Sequence, residues 1–293
     1  MKSSVARQQK HNMYFGIQNL SYLAQLQIVQ EVEPAIPFPT GNYLLELDIS
    51  LGSSIHISDD DSEHSLDKRG SIADIAGTTG SHYALINGAA YVSGSQPYYV
   101  SFDGINDYMG NDETDTYIED IPLKIDTSNP FTISMWCYFT SAINGGTEGI
   151  VWCGQGDYSA GGYGNGGFSL NTMNFAGHSN AFRLNGPTSQ TLTSNLNCPS
   201  GEWFQLSVTK DTTNRFSGFL NNTGSLMGSQ LGDSGRRELS DKTSPLEMGR
   251  GLSGSPVYGD FSRRMSDVRV WSGALSYGEI GTVYSDTKSN YGF

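Results

Sequence analysis

Cysteine is scarce and odd in number: Cys137, Cys153 and Cys198 are the whole set in 293 residues. Three thiols cannot close into a framework within one chain, so a disulfide scaffold is excluded as the basis of the fold. They contain no C-x-x-C pair, and His11, His56, His64, His82 and His178 show no ligand spacing, so the usual zinc patterns are absent. Charge is low at 16% of residues, and positive charge lower still: 17 Lys and Arg stand against 30 Asp and Glu, for a net −13. Such a chain has few cations with which to displace counterions from phosphates, and nucleic acid is not an expected partner. No run of about 18 apolar residues is present, so no membrane span is expected. Met1-Lys2-Ser3-Ser4 leads into no apolar signal core, and no signal peptide is expected.

Glycine and aromatic residues are plentiful. Thirty-six glycines and 11% aromatics describe many short strands joined by tight turns. From Tyr43 the hydrophobic period is two: Tyr43, Leu45, Leu47 and Ile49 alternate with Leu44, Glu46 and Asp48. The pattern returns at Tyr98-Val100-Phe102, at Phe131-Ile133-Met135-Cys137-Phe139 and at Phe204-Leu206-Val208. Each reads as a strand with one buried face. Asn144-Gly145-Gly146, Asn185-Gly186-Pro187 and Asn221-Asn222-Thr223-Gly224 supply turn chemistry between them. Ser276 and Glu279 have the capping-box spacing, and Ile280, Val283 and Tyr284 follow at helical intervals, which predicts one short helix near the C-terminus.

Residues 1–39 differ in character. They open Gln-rich and polar, then carry Tyr14, Phe15, Ile17, Leu20, Leu23 and Ile28 before Pro34, Pro37 and Pro39. The prolines favour a stiff, extended joint, so this segment reads as an arm with at most one short helix. Lys2, Arg7 and Lys10 are unopposed by any acid in the first 30 residues, which leaves the remainder at −16. The expected division is an arm over 1–39 and one sandwich over 40–293.

Several segments in order carry a resemblance: Leu45-Glu46-Leu47-Asp48, Phe102-Asp103-Gly104-Ile105-Asn106-Asp107-Tyr108, Pro130 to Trp136, Gly201-Glu202-Trp203-Phe204, and Asp267-Val268-Arg269-Val270-Trp271 with Ala274-Leu275-Ser276. Together they resemble the laminin-G-like, concanavalin-A-like superfamily, in the form common among bacteriophage structural proteins. The Phe-Asp-Gly-x-Asn-Asp-Tyr run is the most specific of them. Ser262-Arg263-Arg264-Met265 departs from the family pattern, which more often has a glycine-containing turn there. The resemblance implies an all-β fold: a two-sheet antiparallel jelly-roll sandwich.

Candidate sites are few. Glu46 and Asp48 begin the acid spacing that sandwich glucanases need, but Ile49-Ser50-Leu51 supplies no further acid, so no enzyme activity is expected. Glu113 and Asp115, and the cluster Asp59-Asp60-Asp61 with Glu63, read as solvated loops. Gly162, Gly164 and Gly167 satisfy G-x-G-x-x-G, but strand-like Phe168-Ser169-Leu170 follows where a phosphate site needs a helix. Asn106 and Asp107 are the candidate metal ligands, for a structural calcium; the competing reading is that they cap a turn. No cofactor is required. Trp136, Tyr138 and Trp271 fall opposite the core face, where they serve either as a platform for sugars or as a covered surface.

The expected function is a bacteriophage virion structural protein, an outer capsid, decoration or tail component. It would be made in the host cytoplasm, anchored to other virion proteins through residues 1–39, and homo-oligomeric. The alternative is a carbohydrate-binding adhesin or tail-fibre module that recognises host glycans.

Overall fold

The computed structural model describes residues 39, 42–52, 55–56, 71–73, 82–86, 88–105, 107–110, 123–126, 129–140, 147–153, 168–175, 178–185, 191–213, 215–228, 243–249, 258–259 and 263–293. Residues 1–38 of the expected arm, the acidic stretches at 59–63 and 113–120, Asn106 and the glycine run at 162–167 lie outside these residues.

The strands, in chain order, begin with β1 (Tyr43–Leu47), β2 (Ile55–His56), β3 (Ser71–Ala73), β4 (His82–Ile86), β5 (Ala90–Val92), β6 (Tyr99–Ser101) and β7 (Tyr108–Gly110). They continue with β8 (Lys124–Asp126), β9 (Phe131–Tyr138), β10 (Thr147–Cys153), β11 (Phe168–Phe175), β12 (His178–Asn185) and β13 (Thr191–Asn197). The last are β14 (Trp203–Lys210), β15 (Phe216–Leu220), β16 (Thr223–Gly228), β17 (Thr243–Met248), β18 (Tyr258–Gly259) and β19 (Arg264–Trp271). Helix α1 (Tyr277–Thr287) and a 3-10 turn (Lys288–Tyr291) close the chain.

Two sheets form. The first, of eight strands, runs β16-β15-β14-β9-β19-β6-β5, with β1 also paired to β19; the second, of eleven, runs β13-β12-β11-β10-β17-β7-β4-β3-β2 with β8 and β18 at its flanks. The alternation read from sequence sets the faces. Phe131, Ile133, Met135 and Cys137 of β9 turn inward, and the register sets Phe204, Leu206 and Val208 of β14 against Cys137, Met135 and Ile133. From the other sheet Phe168, Leu170, Leu246 and Met248 complete the same core. The Phe131 and Phe168 rings stack across the gap with centroids 5.3 Å apart. Each such buried side chain contributes about 1.5–3 kcal/mol, which makes the alternation the main determinant of the sandwich.

Strand β19 needs one correction of phase. Met265, Val268 and Val270 are all buried, yet the first interval is three residues and the second two. A bulge between Ser266 and Val268 absorbs the extra residue and places Asp267 at φ 38. Without it, Val268 and Val270 would rotate out of the core. Ser50 holds the bulge: its backbone N–H donates to Asp267 Oδ1 at 2.8 Å and its hydroxyl to Oδ2 at 2.9 Å. Arg264 and Met265, part of the segment that departs from the family pattern, are the first residues of β19.

Candidate functional site

The outward face of the eight-stranded sheet is divided into a covered part and an open part by the C-terminus. Helix α1 starts at the predicted capping box, with the Ser276 N–H donating to Glu279 Oε2 at 2.7 Å and the Glu279 N–H to Ser276 Oγ at 3.3 Å. It buries Ile280, Val283 and Thr287. Trp136 donates its indole N–H to Thr287 Oγ1 at 3.0 Å and stacks on Tyr291, ring centroids 4.0 Å apart. Trp271 is equally buried, packs on Tyr43 at 5.1 Å and donates its indole N–H to the Pro39 carbonyl at 2.8 Å. Both indoles are therefore closed to a ligand, and the chain's own C-terminus, not a neighbouring subunit, covers Trp136.

Tyr138 is the member of the trio that remains half-exposed, and it lies where the cover ends. The register pairs it with Trp203 on one side and Arg264 on the other. The Tyr138 and Trp203 rings meet edge to face at 5.6 Å, and Tyr99 of β6 approaches Trp203 at 5.9 Å. The Arg264 guanidinium carbon lies 4.7 Å from the Tyr138 ring centroid and 4.8 Å from that of Tyr99. A cation between two ring faces is held by both quadrupoles. The result is an arginine-centred aromatic cluster, half-exposed at Tyr99, Tyr138 and Arg264 and backed by buried Trp203. Tyr99, Trp203 and Arg264 were not singled out in the sequence as site residues. Arg264 left a trace there as a departure from the family pattern, but its partners come from strands distant in sequence.

Glu46, one of the two acids considered for glucanase chemistry, is held internally, and so is Asp267 of the bulge. Glu46 Oε1 accepts from Arg269 Nε at 3.1 Å, and Arg269 Nη1 lies 3.8 Å from Asp267 Oδ2. Burial pushes the Asp267 carboxyl above the usual carboxylate range, against the lowering influence of Arg269 and of the Ser50 N–H. Tyr291 and Asn290 tie this network to the C-terminus: Tyr291 donates to Ser266 Oγ at 3.0 Å and Asn290 Nδ2 to Ser50 Oγ at 3.3 Å. Burial raises the Tyr291 phenol well above its ordinary range. These carboxylates hold the bulge and the first strand in place.

Asp107, the other described candidate, is buried at the base of a turn. Its Oδ2 accepts from the Asp103 N–H at 2.8 Å, while Asp103 Oδ1 accepts from the Ile105 N–H at 2.7 Å across Gly104 at φ 81. Its other oxygen faces Gly88, where an added Cβ would approach Oδ1 to 2.9 Å. This is turn capping of the kind short Asp side chains favour. A calcium cage needs six to eight oxygens, and no group of three or more His, Cys, Asp or Glu is assembled for a metal among the described residues. Asn106 lies outside them.

Cys137 and Cys198 are buried and stand outside any disulfide, and burial raises both thiols above the ordinary range. Among the described residues no helix is long and apolar enough to cross a membrane.

Comparison with known proteins agrees with this architecture. A Trypanosoma rangeli sialidase, in complex with a difluorinated KDN, superposes with a TM-score of 0.56 at 14% identity over 90% of this chain and 37% of its own. Domain 4 of AbnA, a GH43 extracellular arabinanase from Geobacillus stearothermophilus in complex with arabinotriose, gives 0.50 at 12% identity over 83% and 98%. The botulinum neurotoxin serotype G binding domain gives 0.53 at 11% over 85% and 52%. The chain thus spans little more than a third of the sialidase's length, and at these identities the likeness is one of fold. No curated protein matches by sequence. Residues 111–281 match a laminin-G family described as the concanavalin A-like lectin/glucanases superfamily. The Phe102–Tyr108 run falls before that span, although β1 and β6 pair with β19 in the same sheet. On a match covering more than half of its length, the chain belongs to the concanavalin A-like lectin/glucanases superfamily.

Proposed function

We propose that this protein is a non-catalytic carbohydrate-binding module whose ligand rests on the half-exposed cluster of Tyr99, Tyr138 and Arg264. The observation that carries the reading is the placement of Tyr138: two of the three outward aromatics are sealed beneath the C-terminus or against β1, and the third is left at the open margin beside a second tyrosine. Half-exposed aromatic rings on a rigid sheet present flat apolar area to the C–H face of a sugar, and their hydroxyls remain available for hydrogen bonds. The arabinotriose held by the arabinanase domain of like fold supports glycan as the ligand class. The non-catalytic reading rests on the want of a further acid after Glu46 and Asp48, at Ile49-Ser50-Leu51, and on the engagement of Glu46 by Arg269.

A glycan array followed by titration calorimetry tests the reading. Binding to at least one oligosaccharide, weakened about tenfold or more by Tyr138→Ala with the fold intact, is expected. Binding that Tyr138→Ala and Tyr99→Ala leave unchanged would move the site elsewhere. Release of reducing sugar, lost in Glu46→Gln, would replace a binding role with an enzymatic one.

The setting we propose for the module is a bacteriophage particle, with residues 1–39 as its attachment to other virion proteins. The contrast of that basic and apolar segment with the acidic body favours it. Mass spectrometry of purified particles should find the chain; its absence from them would remove the setting.

A further inference from the structure

We infer that the ligand of this cluster carries a carboxylate, with Arg264 as its anchor, so that the module selects acidic sugars over neutral ones; this rests on the glycan-binding reading above. Three arginines begin or line β19 within a few residues, and two are committed. Arg269 pairs with Glu46 and Asp267, and Arg263 packs against the Phe139 ring at 5.2 Å and donates to Thr140 Oγ1 at 3.3 Å. Arg264 has only the two tyrosine rings: among the described residues no carboxylate lies within ion-pair distance of it and no acceptor takes its N–H groups.

In a chain with 30 acids and 17 bases, an arginine with no acidic partner among the described residues stands out on charge statistics. Its position is also restrained. Contact with two ring faces restrains the guanidinium, so part of the rotamer entropy that binding would otherwise cost is already lost. The Tyr99 and Tyr138 hydroxyls likewise have no partner among the described residues. A planar fork of donors matches a carboxylate in two parallel hydrogen bonds, and the flanking rings match the apolar face of the sugar that bears it. The net charge of −13 opposes any anion at long range, but that field is screened beyond about 8 Å at physiological salt, whereas the paired contact acts within hydrogen-bond distance. The specificity therefore comes from contact, and charge elsewhere acts against it.

The test uses the full chain and an array of hexuronate- and nonulosonate-terminated oligosaccharides, each beside the same oligosaccharide after carboxyl reduction to the alcohol and beside a sulfated counterpart. Carboxylated forms are expected to bind about tenfold or more tightly than their reduced partners. Arg264→Gln should abolish that difference, so that carboxylated and reduced forms bind the variant alike, and Arg264→Lys should restore only part of it, with thermal melts confirming that both variants fold. Equal affinity for carboxylated and reduced forms would overturn the inference and leave glycan binding standing. A preference for sulfated over carboxylated chains would overturn the carboxylate assignment. Binding to neither member of any pair would remove the glycan reading and this inference together.

Discussion

The Trp136 indole and the Tyr291 ring lie parallel within 12°, centroids 4.0 Å apart, so the last turn of the chain is the lid over the middle of the outward sheet face. Tyr291 also donates to Ser266, whose hydroxyl donates to the Tyr98 carbonyl. Tyr291→Ala should lower stability by about 3 kcal/mol or more, as for other large-to-small changes at buried aromatics. Tyr291→Phe keeps the stack and loses one hydrogen bond, at about 1 kcal/mol. Urea unfolding measures both. A red-shifted tryptophan emission in the alanine variant alone would report the uncovering of Trp136.

Asp267 gives the protein a pH dependence whose sign follows from its burial. Its folded-state carboxyl titrates above the unfolded one, so its contribution is full below the unfolded value near 3.9 and is lost as pH rises through the folded value. Asp267→Asn removes that titration, keeps an acceptor for the Ser50 N–H and tolerates the φ of 38 that the bulge requires. Between pH 4 and 7 the variant's urea midpoint should fall less than that of the natural chain. Parallel curves would show that Asp267 does not control this range.

Most of the sandwich was legible because its cause is local. Alternation at Phe131–Phe139 and Phe204–Val208 is a period-two signal, and Ser276 with Glu279 declares the helix start within four residues. The Met265, Val268, Val270 spacing even contains the bulge. What could not be read is pairing between distant strands. Phe102 of the Phe-Asp-Gly run packs on the bare backbone of Gly249, and no property of either segment names the other. The candidate site has the same origin: Tyr99, Tyr138, Trp203 and Arg264 come from four strands, and only the register of the sheet brings them together.

Gly249 allows a direct check of that close approach. Its φ is 83, its N–H donates to the Ile150 carbonyl at 2.8 Å, and a Cβ there would fall inside van der Waals contact with the Phe102 ring. Gly249→Ala combines backbone strain with overpacking and should cost about 3 kcal/mol or more. The double variant Gly249→Ala with Phe102→Leu should recover part of that loss, because it removes the obstructing ring. Additive losses would show that backbone strain alone is responsible.

Asp107 separates turn capping from metal binding. Removing its carboxylate takes away the acceptor of the part-buried Asp103 N–H, a loss of about 1 kcal/mol. Asp107→Ala should therefore melt lower than the natural chain by the same interval with and without a chelator. A natural chain whose melting temperature falls on chelation to that of the variant would instead establish a calcium-linked site, since a ligand bound only by the folded state stabilises it.

Pro39 contributes an acceptor to the sandwich. Strand pairing starts at Tyr43 against Trp271, and the buried Trp271 indole N–H is satisfied by the Pro39 carbonyl. Pro39 thus serves the sandwich even though the sequence assigns it to the arm. A chain starting at Pro39 retains that acceptor, whereas one starting at Gly41 leaves a buried donor without it. The longer truncate should match the full chain in denaturant midpoint for the sandwich transition. The shorter should be weaker by about 1–3 kcal/mol, the penalty of an unmet buried donor. Trp271→Phe, which has no N–H to satisfy, should shrink the difference between the two truncates. A difference that persists in Trp271→Phe would show that the loss does not come from the Trp271 donor.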